Sequence, residues 1–109
     1  MSILKVEYKG KKYELGFTRN SVVMLERNGF NIDELSVKPM TMLPMFWQGA
    51  FVAYNKGVKR ALMDEIYDNL SDKQGLISGL VELYAETLNT LTDEPDEDNK
   101  GNATWEIIR

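Results

Sequence analysis

The sequence contains no cysteine and no histidine among its 109 residues. Without cysteine there can be no disulfide, no thiolate nucleophile and no sulfur-ligated zinc or iron–sulfur site. Without histidine the commonest general base and the commonest metal ligand are missing, and with them every Ser-His-Asp or Cys-His arrangement. An enzyme is therefore not expected, and no cofactor is implied. Positive charge is also short. Thirteen Lys and Arg against 17 Asp and Glu leave a formal net charge of −4, whereas nucleic-acid binding rests on clustered cations. The one basic concentration, Tyr8 to Tyr13 (YKGKKY), reads as a soluble hairpin tip or as a contact for an acidic surface. No run approaches the ~20 apolar residues needed to span a bilayer. The first residues alternate polar and apolar, unlike a signal peptide. A soluble, cytoplasmic protein is expected, binding neither nucleic acid nor membrane.

The length fits one domain with a modest core. Residues 3–8 and 13–17 alternate with a period of two: Leu4, Val6 and Tyr8 share one face of the first strand, and Tyr13, Leu15 and Phe17 share one face of the next. Gly10 supplies a residue that tolerates positive φ between them. A two-stranded hairpin is marginal alone, so helices must cover its apolar face. Thr18 suits the N-cap of a helix from Arg19 to Asn28, with Val22, Val23 and Leu25 inward and Gly29 at the left-handed C-terminal position. A short turn around Asn31 to Leu35 follows. A third helix is expected from about Val58 to Asn69. A fourth starts at a Ser71 or Asp72 cap and carries Leu76, Ile77, Leu80, Leu83, Tyr84, Leu88 and Leu91 at helical spacing. The expected fold class is α+β: an N-terminal β-hairpin packed on about four α-helices, with an acidic, disordered C-terminal tether.

Between Asn31–Leu35 and the third helix lies the most apolar stretch, Thr41 to Tyr54 (TMLPMFWQGAFVAY). With Thr41 as cap, Pro44 falls in the first turn, where its missing N–H does no harm. Gln48 is the one polar residue from Met42 to Tyr54. A helix apolar all round should be buried on all sides, yet a domain this small has few elements to surround it. Two readings stay open: a central core helix, or a helix with part of its surface kept for another chain. Methionines suit the second, because flexible thioethers accommodate varied apolar partners.

Composition changes at Asp93. The domain is placed at residues 1–92, an acidic linker at 93–103, and a short apolar segment at 104–109 containing Trp105, Ile107 and Ile108. The five acids of Asp93 to Asp98 (DEPDED) lack the central glycine of a calcium loop, so no metal site is expected. Carboxylates at Asp64, Glu65 and Asp68 have the spacing of acid–base pairs but no apolar pocket to separate their pKa values.

The order of these features resembles the tail assembly chaperones of long-tailed phages and prophages of Gram-positive bacteria. The residues that carry the likeness are Leu25-Glu26, Gly29, Ile32 and Leu35, then the apolar helix with Phe46 to Phe51 (FWQGAF) around Gly49, across about residues 4 to 91. The resemblance implies a non-enzymatic protein that coats apolar helical segments of the tape measure protein. It would keep that protein soluble and help recruit the major tail protein. Partner contacts are then expected at Met42, Met45, Phe46 and Phe51, with Trp105 as a second contact, and homo-oligomers are a further outcome. A structural tail-completion protein and a small acidic regulatory protein are the alternatives.

Overall fold

A computed structural model describes residues 2–92 and 103–108. Strands β1 (Leu4–Tyr8) and β2 (Lys11–Leu15) pair antiparallel with Val6 opposite Tyr13 and Leu4 opposite Leu15. The connection places Lys9 at φ +50° and Gly10 at +79°, the paired left-handed conformations that match a two-residue hairpin turn to strand twist. Four helices follow: α1 (Arg19–Arg27), α2 (Pro39–Val52), α3 (Arg60–Asp68) and α4 (Lys73–Asn89), with a 3-10 turn at Ile32–Glu34 between the first two. The α+β architecture of hairpin and four helices is the one expected. None of the helices is long and apolar enough to cross a membrane. The linker expected at residues 93–103 falls almost wholly outside the described residues. Residues 103–108 belong to no helix or strand and are exposed.

The helix ends follow local chemistry. Thr18 accepts from the Ser21 amide at 3.1 Å, and Ser21 Oγ accepts from the Thr18 amide at 2.9 Å, so two otherwise unpaired donors are satisfied reciprocally. At the other end of α1, Gly29 turns left-handed at φ +95°. Its amide donates to the Glu26 carbonyl and the Phe30 amide to the Leu25 carbonyl, which is the Schellman closure. That closure swings Phe30 inward, to 4 % exposure. Helix α2 begins at Pro39 rather than after Thr41, since proline's fixed φ favours the first helical position. Pro44 consequently lies inside the helix, past the first turn, where it offers no amide to the Met40 carbonyl. Asp72 caps α4 by accepting from the Gly75 amide at 3.0 Å.

The core is an aromatic cluster around α2. Phe46 lies between Phe17 and Phe30, with centroids at 5.1 and 5.3 Å, and Tyr84 of α4 meets it edge-on at 5.7 Å. Trp47 packs edge-on against Phe51 and donates its indole N–H to the Met63 carbonyl of α3 at 2.8 Å. From β2 side, Tyr13 covers Phe51, and the Gly16 amide donates to the Ala50 carbonyl at 3.1 Å. The hairpin tip is held to α3 by Tyr8 Oη donating to Glu65 at 2.8 Å, with Lys9 3.6 Å from the same carboxylate. Val23, expected inward, is exposed because the α1 stripe that meets α2 runs through Val22 and Leu25.

Candidate protein-binding surface

Helix α2 supplies the centre of the core and also exposes apolar side chains, Met40 and Val52. Its inward residues are Met42, Phe46, Trp47, Ala50 and Phe51. Three of the expected partner contacts are thereby corrected. Phe46 is enclosed by Phe17, Phe30 and Tyr84, Phe51 is covered by Tyr13, and Met42 is buried in the same core cluster, so none of them presents a surface to another chain. Met45 is half-buried and lies at the edge of the covered arc. Trp105 is exposed at 83 % and sits in the terminal segment, away from α2's packing.

The outward strip of α2 runs through Met40, Pro44, Met45, Gln48 and Val52. Met40 is 90 % exposed and Val52 56 %. A groove runs along each side of the strip. On the α1 side, Met24, Leu25, Met45, Gly49 and Val52 line a depression of about 430 Å³ with Ser21, Asn28 and Gln48 as its only polar lining. On the α3 side, Met40, Leu43, Pro44 and Tyr67 line a second of about 580 Å³, floored by Trp47 and edged by Arg60, Asp64 and Asp68. Gln48 lines both and reaches Asp64 at 3.5 Å.

At Gly49 the lining of the α1 groove carries no side chain. A Cβ on Gly49 would come within 2.7 and 2.9 Å of the two Leu25 methyl carbons and 3.0 Å of Cγ. Glycine is what lets α1 lie this close to α2, leaving Met24 and Val52 as opposing rims. Among the described residues no cluster of three or more acidic side chains is placed to hold a metal ion. Shifted titrations lie elsewhere. The Tyr8 phenol is raised above its ordinary 10.0, chiefly by its hydrogen bond to Glu65. Glu86 is held below its ordinary 4.5, chiefly by the Ser2 amide that donates to it at 2.9 Å.

Helical spacing puts Leu43 and Val52 on two equally apolar stripes of residues 41–54, and it does not mark Met24 or Met40. The available signal was the uniform apolarity of residues 42–54, which marks α2 as unusual without showing which arc lacks a neighbour.

The sequence matches the model of the family described as Domain of unknown function (DUF5055) over residues 1–108, and the chain belongs to that family. No curated protein and no solved structure matches it.

Proposed function

We propose that this member of the DUF5055 family is a non-enzymatic phage tail assembly chaperone. It binds apolar helical segments of the tape measure protein and keeps them soluble during assembly. The observation that carries this reading is the outward strip of α2 together with its α1 groove: Met24, Met45 and Val52 surround an uncharged channel on an otherwise acidic body. An amphipathic helix laid in such a groove is held by side chains at helical spacing, and methionine rims adapt to varied apolar sequences. The family resemblance of the element order supplies the identity of the client; the groove supplies the chemistry.

The test is co-expression with the tape measure protein, scoring the amount of client that stays soluble. Met24→Asp and Val52→Asp each place a charge in the apolar channel at an exposed side chain that is not packed against the core. Each is expected to lower soluble client while leaving the thermal midpoint close to that of the parent. Full client solubility with both changes present would refute the assignment of this groove. A client that is equally soluble with the chaperone omitted would refute the chaperone reading.

A further inference from the structure

The α3-side groove differs from the α1-side groove in having a charged edge, and one other segment of the chain has the reciprocal pattern. Arg60, Asp64 and Asp68 stand along the groove, and none of the three is in an ion pair among the described residues. The floor between them and Met40 is apolar and aromatic, with Leu43, Trp47 and Tyr67. Residues 103–108 belong to no helix or strand and are exposed along their length, and Trp105, Ile107 and Ile108 lie open to water. In sequence, Trp105-Glu106-Ile107-Ile108-Arg109 sets one anion and one cation among three large apolar side chains. The groove offers one cation and two anions around an apolar floor.

We propose that the C-terminal segment, Trp105 to Ile108, docks in the α2–α3 groove of its own chain. Trp105 would cover Met40, Leu43 and Tyr67, and Glu106 would face Arg60. Reach permits this. Lys73, in the first turn of α4, lies over the Tyr67 ring at 5.8 Å, so the groove adjoins the start of that helix. The chain leaves α4 at its other end, about 25 Å away for a helix of this length. Eleven steps along the chain from Thr92 to Ala103 span up to about 36 Å when extended. A tether this short sets an effective concentration on the order of millimolar, which favours the chain's own groove over that of a second copy in dilute solution. The proposal uses a different groove from the client site and stands independently of the chaperone reading.

The absence of cysteine makes a clean test. Ala103→Cys creates the one attachment point for a nitroxide spin label in the full chain. With the segment docked, amide signals of Leu43, Asp64 and Tyr67 broaden relative to the reduced label and recover when Trp105→Asp is added, while core amides such as Leu80 keep their positions. When spin-labelled protein is mixed with an isotope-enriched, unlabelled chain, no broadening is expected in the enriched partner. Broadening confined to Met24, Met45 and Val52, broadening insensitive to Trp105→Asp, or none at all would overturn the proposal. Equal broadening in the mixed sample would also overturn it, by assigning the groove to a second copy.

Discussion

Phe46→Ala separates the two roles that an all-round apolar helix can have. The side chain is fully buried, stacked at 5.1 Å on Phe17 and at 5.3 Å on Phe30, with Tyr84 against its edge. Removing a buried phenyl ring costs about 3–5 kcal/mol when the site cannot collapse. Here collapse is hindered, because the flanking rings come from three separate stretches of chain and cannot all move into one gap. The upper half of that range is therefore expected, and it is a large share of the roughly 5–15 kcal/mol that holds a domain of this kind together. With a urea slope of about 2 kcal/mol/M, the midpoint should fall by about 2 M. Met40→Ala is the companion, since at 90 % exposure its loss should stay within about 0.5 kcal/mol. Urea titration followed by far-ultraviolet circular dichroism measures both. The reasoning fails if Phe46→Ala shifts the midpoint no further than Met40→Ala does, because the ring would then not be packed as described.

Gly49→Ala sets a helix-propensity gain of about 1 kcal/mol against overpacking on Leu25 of about 1–3 kcal/mol. A net loss near 1 kcal/mol is expected in thermal melts, and a gain would mean that Leu25 is free to move. Trp47→Phe keeps an aromatic ring but removes the indole N–H that donates to the Met63 carbonyl, a loss of about 0.5–1.5 kcal/mol for that bond that denaturant titration should resolve. Tyr8→Phe removes a phenol whose pKa is raised by donating to Glu65. The stability carried by that contact is present below pH 10 and is lost as pH rises through the raised pKa, so parent and variant should converge in strongly alkaline melts. Glu86 is the opposite case. Its lowered pKa stabilises above about pH 4.5 and is lost on acidification, so Glu86→Gln should flatten the acid limb of stability against pH.

The parts of the fold legible in the sequence are those that obey a single period. Val6 and Tyr13 alternate with polar neighbours, and the pairing sets them opposite each other. Leu80 and Tyr84 recur one turn apart and both are buried. Thr18, Gly29 and Asp72 announce helix ends through chemistry confined to a few residues. Helix α2 offers no period to read, so its start moved to Pro39 and its inward arc had to be set by what surrounds it. Phe46 and Met45 are adjacent and equally apolar, yet one is enclosed by rings and the other meets a groove. That difference arises from tertiary neighbours that no local pattern encodes. Phe30 was hidden for a related reason, because its inward turn depends on the left-handed Gly29.

Leu25 carries three duties at a single position. Its carbonyl accepts the Phe30 amide, its methyl groups press on Gly49, and its side chain lines the α1 groove. A guest that wedges the groove apart therefore pushes on the same residue that latches the end of α1. The load passes along five residues to Phe30, whose ring is stacked in the aromatic centre. Occupancy of an outer surface is in this way geared to the tightness of an inner fastening, and the Phe30 amide is the gauge: its hydrogen-exchange rate should change when the groove fills, although no guest atom comes near it.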